Sequence, residues 1–209
     1  MSDVLFVGDV QGCAAELHDL LAAAGFDAGR HRLAFCGDLV NRGPDSARVL
    51  ELARRLNALA VIGNHEVALL EGRQSPSLDH VRQQLGSSLE TWMGWLRSLP
   101  TFIRGDGYIL VHAGIAPGKR PEACTRHELV EIRAVDGKPW FDFWHGPETV
   151  VFGHWAMRGK VDLPLAVGLD TGCVYGRELT GVWMPARRFV SVPARRVWYD
   201  PITKKPTWI

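Results

Sequence analysis

No CxxC pair occurs among the four cysteines, Cys13, Cys36, Cys124 and Cys173, which excludes the zinc and thioredoxin-type sites that need closely spaced thiols. Each cysteine sits in or beside an apolar segment, where a buried free thiol is ordinary, so no structural disulfide is expected. No run approaches the ~20 apolar residues of a membrane span, and no basic and then apolar leader precedes the first strand-like segment. The expectation is a cytoplasmic protein with no membrane partner and no stable protein partner. One-sided charge is also missing: 24 Lys and Arg stand against 23 Asp and Glu, too even a balance for broad attraction to nucleic acid or lipid. No repeat, low-complexity stretch or linker divides the 209 residues, of which 46% are hydrophobic, so 1–209 reads as a single domain with one sizeable core.

What the chain does carry is a series of polar clusters, each placed after an apolar run. Val4–Val7 leads into Gly8-Asp9-Val10-Gln11-Gly12; Leu33–Cys36 leads into Gly37-Asp38-Leu39-Val40-Asn41-Arg42-Gly43; Leu59–Ile62 leads into Gly63-Asn64-His65-Glu66. Such runs read as buried strands that deliver their polar residues to the carboxyl edge of a sheet, where ligands gather in α/β proteins. Residues 14–24 have helical spacing and stop at Gly25, and a second helix is expected from Pro44-Asp45-Ser46 to about Leu56, which gives a βαβαβ rhythm. From about 73 to 100 the pattern turns to polar helical segments with Trp92, Met93, Trp95 and Leu96, read as a short helical cap over or beside the site. Thr125-Arg126-His127-Glu128 matches a capping box. Strands are expected at 101–104, 108–111, 149–152, 166–169, 179–184 and 189–192.

Two more histidines repeat the strand-end context: His112 after Tyr108–Val111 and His154 after Thr149–Phe152 and Gly153. One histidine at such a place is most often structural; two of them beside three acidic or amide loops point to metal. Two divalent cations roughly 3.5–4 Å apart clamp the oxygens of a phosphoryl group and turn a bridging water into hydroxide near neutral pH. Asp38 suits the bridge, Asp9 and Gln11 would complete one site, and Asn64, His112 and His154 the other.

These motifs resemble the calcineurin-like metallophosphoesterases of the phosphoprotein-phosphatase type, with their Gly-Asp-x-His-Gly, Gly-Asp-x-x-Asp-Arg-Gly and Gly-Asn-His-Glu signatures. Within that branch, Gly37 to Ser46 and the late stretch from Phe152 to Ala156 and from Gly168 to Gly176 are similar to the symmetrical diadenosine tetraphosphate hydrolases. The resemblance covers nearly the whole chain. It implies a central β-sandwich flanked by helices, a pair of divalent ions (Mn²⁺ first, with Mg²⁺, Co²⁺ or Fe/Zn as alternatives), and cleavage of the tetraphosphate into two ADP by a bridging hydroxide. By the same resemblance His65 is the general acid, Arg42 a phosphate clamp and Arg133 a second one.

Two positions depart from the family pattern. Gln11 stands where the wider family has a histidine ligand; an amide oxygen suits Mn²⁺ or Mg²⁺ better than Zn²⁺. Asn41 stands where the protein phosphatases have an aspartate, so His65 gains orientation but no charge. A departing ADP phosphate with a second pKa of about 6 needs little proton donation, which favours an anhydride substrate over a phosphoserine.

Asp170-Thr171-Gly172 reads as a turn in preference to a support behind the metal ligands. Trp140, Trp144, Trp155 and Tyr175 are candidates for stacking on adenine, and the tail from 193 to 209, with four basic and three aromatic residues (Arg195, Arg196, Lys204, Lys205, Trp198, Tyr199, Trp208), either binds nucleotide phosphates or RNA or packs on the domain. Three functions therefore compete. The first is a dinucleoside tetraphosphatase, which would also accept capped RNA 5′ ends because they present the same anhydride. The second is a phosphoprotein phosphatase, and the third a degenerate metal- or nucleotide-binding module.

Overall fold

In the computed structural model, which describes residues 3–208, six α-helices and fourteen strands alternate along the chain. The strands are β1 (Val4–Val7), β2 (Arg32–Phe35), β3 (Leu59–Ala60), β4 (Phe102–Arg104), β5 (Tyr108–Val111), β6 (Ala134–Val135), β7 (Lys138–Pro139), β8 (Thr149–Phe152), β9 (Val161–Leu163), β10 (Ala166–Gly168), β11 (Glu178–Met184), β12 (Arg188–Pro193), β13 (Tyr199–Asp200) and β14 (Lys205–Pro206). The helices are α1 (Ala14–Ala24), α2 (Ser46–Arg55), α3 (Asn64–Leu70), α4 (Pro76–Leu85), α5 (Leu89–Arg97) and α6 (Arg126–Glu131).

Two five-stranded sheets, in the orders β12-β11-β1-β2-β3 and β4-β5-β8-β10-β9, make the expected sandwich. Each holds three parallel strands, β1-β2-β3 at one side of the first and β5-β8-β10 in the middle of the second, and the remaining strands pair antiparallel.

Why the strands read as unbroken apolar runs follows from burial on both faces. In β1, Leu5 and Val7 pack under α1 and α2, while Val4 and Phe6 point into the layer between the sheets, against Leu110, Val151 and Val167. The second sheet turns Ile109, Val111, Val150 and Phe152 outward onto Leu129, Trp140 and Phe141. Local signals close the helices. Gly25 takes the left-handed conformation (φ 66°) that ends α1, the Asp45 carboxylate accepts from the Arg48 N–H at the start of α2, and Thr125 and Glu128 form their capping box on α6.

Several expectations change in detail. The third strand is only Leu59–Ala60, because the Ile62 N–H leaves the β2 ladder to bond the carbonyl of Pro100. Helices α4 and α5 fill residues 76–97 and send Leu78, Val81, Leu85, Trp92, Met93 and Leu96 into the core under the first sheet. They pack at the side of the first sheet, and none of their residues lines the cleft. The tail forms the hairpin β13-β14 and packs on the domain.

Candidate active site

Six loops leave the carboxyl ends of the six parallel strands, and each carries at least one polar residue to a common site. Asp9 follows β1, Asp38 follows β2, Asn64 follows β3, His112 follows β5, His154 follows β8 and Asp170 follows β10. The backbone bends sharply to bring them in. Gln11, Asp38, Asn41, Arg42 and His154 are five of the nine non-glycine residues with positive φ among those described, a strained conformation that clusters where side chains must be aimed. Close approach adds its own demand: a Cβ on Gly153 would collide with the Asp9 carboxylate, and one on Gly63 with that of Asp38.

Proton positions define the chemistry on one side of the cleft. The Nδ1 of His112 faces the carbonyl oxygen of Cys36 at 2.8 Å, so it carries the ring proton and leaves a lone pair on Nε2. In the same way Nε2 of His154 faces the carbonyl oxygen of Glu131 at 3.2 Å, which leaves a lone pair on Nδ1. Burial keeps both rings neutral: it lowers the pKa of His112 and takes His154 down to about 2. The two lone pairs point at one another (3.2 Å) and at the Asn64 Oδ1, which lies 3.0 Å from His112 and 3.1 Å from His154. The Asp38 Oδ1 is 3.4 Å from His112 Nε2. Four acceptor atoms thus converge with no proton between them, an arrangement suited to a cation.

The other side is a crowd of carboxylates. Oxygen or nitrogen atoms of Asp9, Asp38 and His112 lie within 4.8 Å of one another. Asp9 accepts from the His154 N–H at 3.0 Å and Asp170 accepts from the Gly172 N–H at 3.1 Å. Burial, reinforced by the carboxylates of Asp170 and Asp38, raises Asp9 well above its usual range, and burial alone is the leading cause at Asp38 and Asp170, each pushed up to about 6. A divalent cation among such oxygens would reverse every one of these shifts.

Gln11 lies in the same cleft, with its amide nitrogen 3.3 Å from Asp38 Oδ2 and 3.4 Å from His65 Nε2. His65 is buried and its Nε2 is 3.6 Å from Asp38 Oδ2. The Asn41 Oδ1 accepts from the Arg42 N–H at 2.9 Å, so the Asn41 Nδ2 is the atom 2.8 Å from His65 Nδ1, and it donates. The ring proton is then on Nε2, facing the cleft. Burial first, and then the Arg42 guanidinium, lowers the His65 pKa well below that of a free histidine. Arg42 and Arg133 line the cleft; the Arg133 Nη2 donates to the His154 carbonyl at 3.2 Å.

Sequence reasoning gave two site groups less than their place. Asp170 does turn the chain, yet it also lines the cleft as the sixth strand-end residue; the acid after the apolar run Ala166–Leu169 was the available signal. Glu66 is fully buried, and its carboxylate accepts from the N–H groups of Asp38, Leu39, Val40 and Gly63 at 2.8–3.1 Å. It holds the loop that carries Asp38. Of the four stacking candidates, Trp155 and Tyr175 line the cleft. Trp140 is fully buried against Phe152 and Trp144 donates to the Glu148 carbonyl 3.0 Å away, outside it.

The cleft holds about 310 Å³. A larger groove of 610 Å³ between α1, α2 and α5 has Arg48, Arg54, Arg55 and Trp92 on its walls but no converging acceptors. Of the two, the cleft has the makings of catalysis, and a phosphate anion could approach carboxylates this dense only in the company of cations. Fold and site together therefore define a metal-dependent phosphoryl hydrolase.

The chain belongs to the calcineurin-like phosphoesterases, whose family model matches residues 2–184. It is 31% identical to the symmetrical bis(5′-nucleosyl)-tetraphosphatase of Coxiella burnetii strain CbuK_Q154, over 90% of this chain and 91% of that protein. A solved structure described as a candidate diadenosine tetraphosphatase superposes with a TM-score of 0.83 at 40% identity, covering 92% of this chain and 94% of the other. A protein serine/threonine phosphatase from Saccharomyces cerevisiae shares the fold, with a TM-score of 0.67 at 16% identity over 96% of this chain and 82% of its own. Members of the family use divalent metals, and the Asp9, Asp38 and His112 cluster is a candidate site for them. Among the described residues no helix is long and apolar enough to cross a membrane.

Metal and pH should act on stability together. With protein groups alone, the raised Asp38 and Asp170 (about 6) and Glu66 (about 7) bind protons that the unfolded chain releases earlier. Stability then falls as pH climbs from about 4 toward about 7. Cations oppose that loss by replacing the protons. Mn²⁺ at a hundredfold excess over its Kd should raise the Tm by about 5–10 °C at pH 7.5, and by much less at pH 5. A gain that is equal at both pH values in a melting series would contradict a carboxylate-rich cation site.

Proposed function

We propose that the chain hydrolyses diadenosine tetraphosphate symmetrically, releasing two ADP. Asp9, Asp38, Gln11 and Asp170 would hold one divalent cation and Asn64, His112 and His154 the other, with Asp38 shared. The second set is supported by its four converging acceptors. Mn²⁺ is our first choice of metal, since the carboxylates and amides around the two imidazoles are hard donors. When bound, such ions supply charge that activates water near neutral pH and neutralises phosphoryl oxygens.

The protein's own groups do the rest. Arg42 and Arg133 reach the cleft with guanidinium forks suited to phosphoryl oxygens. His65 presents its Nε2–H toward the cleft, as a neutral donor, to an oxygen of the departing group. The observation that carries the substrate choice is the Asn41 contact. An amide that donates to Nδ1 holds His65 in its neutral form, adequate for a weakly basic phosphate leaving group and poor for a serine alkoxide. The names of the relatives agree with this reading. It also keeps the chain in the cytoplasm, where its buried thiols Cys13, Cys36 and Cys173 stay reduced.

One observation favours a phosphoprotein phosphatase instead: no residue of α4 or α5 lines the cleft, so nothing from that insertion embraces a long dinucleotide. A side-by-side assay with Mn²⁺ on diadenosine tetraphosphate, a phosphoserine peptide and a tetraphosphate-capped RNA decides among them. ADP as the only nucleotide product is the expected result. AMP with ATP, or turnover of the peptide alone, would overturn it, and absence of all turnover would mark a binding module.

Replacing Asn41 by aspartate tests the argument directly. The carboxylate would accept a hydrogen bond from a protonated Nδ1, favouring the imidazolium. The ratio of kcat/KM for the phosphoserine peptide to that for the tetraphosphate should rise about tenfold. An unchanged ratio at unchanged metal content would leave the substrate choice resting on the relatives alone.

A further inference from the structure

Arg42 is gripped in an unusual way. Its backbone is left-handed (φ 62°), and among the described residues its guanidinium makes no ion pair. Aromatic side chains hold it. Its Nη1 donates to the Tyr175 hydroxyl, and its guanidinium carbon lies 5.5 Å from the Tyr175 ring centre and 5.0 Å from that of Tyr199. Ring faces attract a guanidinium without occupying the N–H donors at its edge, so most of those donors stay open to phosphoryl oxygens.

Tyr199 belongs to the C-terminal hairpin, and that hairpin also reaches the other end of the same residue: the Trp208 Nε1–H donates to the Arg42 carbonyl oxygen at 3.0 Å. The hairpin is itself tied down at a distance from the chemistry. The indole of Trp198 donates to the buried Glu16 carboxylate at 2.7 Å, the Tyr199 N–H bonds the Val174 carbonyl at 2.9 Å, and the Trp208 ring meets His80 of α4 edge-on at 4.4 Å. Main chain and guanidinium of one strained arginine are therefore both contacted by a single terminal element, with Tyr175 as the other aromatic partner of the guanidinium, although 157 positions separate Arg42 from Tyr199 in the sequence.

We infer that the C-terminal hairpin is a positioning device for Arg42, acting through Tyr199 and Trp208 on the binding of phosphoryl oxygens. The inference rests on the phosphate-clamping role proposed for Arg42. The test is kinetic, on the Mn²⁺-loaded enzyme, with inorganic phosphate as a competitive probe. Tyr199→Leu should raise the Ki for phosphate and the KM for the tetraphosphate about tenfold, with kcat changed much less, and Tyr199→Phe, which keeps the ring, should restore both. In an Arg42→Ala background, Tyr199→Leu should add nothing.

Should Tyr199→Leu not fold, Trp208→Phe deletes one donor and keeps a ring, and an increase in Ki of about threefold is expected, again absent without Arg42. A Ki that stays put in Tyr199→Leu, a penalty that persists in the Arg42→Ala background, or failure of Tyr199→Phe to rescue would overturn the positioning role while leaving the clamp intact. A Ki unmoved by Arg42→Ala itself would overturn the clamp, and the inference with it.

Discussion

Asp38→Asn is expected to lower turnover by on the order of 10³-fold or more and to cut bound Mn²⁺, while leaving the fold intact. The side chain has two distinct faces. Its Oδ1 accepts from the His65 N–H at 2.9 Å and lies 3.4 Å from His112 Nε2, whereas Oδ2 is turned toward Gln11 and His65. Asparagine keeps the first oxygen and so the backbone bond, but it replaces the second with an N–H group and removes a negative charge from between the two halves of the donor set. In the metal-free protein that charge is a burden, since burial has pushed Asp38 up to about 6 and its neighbours Asp9 and Asp170 are raised as well.

The variant should therefore be as stable as the parent, or more so, at pH 7.5 without metal, and it should gain little Tm from Mn²⁺. Loss of activity together with a lower metal-free Tm would mean that Asp38 is chiefly structural. Metal analysis that finds two ions at full occupancy in an active variant would remove it from the site altogether.

The strand-end logic that singled out Asp38 explains how far the sequence could be read. An apolar run followed by a polar residue is a local signal, and it located Asp9, Asp38, Asn64, His112 and His154 because each strand is buried on both faces and ends at the same edge. Asp170 sends the same signal, but Asp-Thr-Gly also makes a turn, and the local pattern cannot tell a turn that faces solvent from one that faces a cleft. Glu66 was visible as part of Gly-Asn-His-Glu, yet its work is to bind backbone N–H groups some 28 positions away, which no side-chain pattern encodes.

Pairing between distant segments was less legible still. Nothing in Val4–Val7 announces an antiparallel partner at 181–184, and nothing in Tyr199 or Trp208 points back to Arg42. Those contacts are fixed by which apolar faces remain to be covered once the sheets have formed. Trp140 illustrates the same limit: its place in the motif order suggested the cleft, whereas Gly114 leaves room for its indole in the core.

His65→Asn should separate proton donation from metal binding. The ring sits at the start of α3 with its Nε2 3.6 Å from Asp38 Oδ2, and its backbone N–H, not its side chain, is what holds Asp38 Oδ1. Its Nδ1 takes a hydrogen bond from Asn41 rather than facing the converging lone pairs of His112 and His154. Asparagine at position 65 keeps the backbone bond, so Mn²⁺ content and its effect on Tm should survive. What disappears is the Nε2–H that would serve the departing oxygen.

General-acid catalysis typically supplies about 10²–10⁴-fold, and its worth grows with the basicity of the leaving group. An alkyl phosphate monoester should thus lose turnover near the upper end of that range. The tetraphosphate, whose departing ADP phosphate has a second pKa of about 6, should lose far less. Equal losses on both substrates would mean that His65 acts by holding the phosphoryl group rather than by donating a proton, and loss of metal would place it among the ligands.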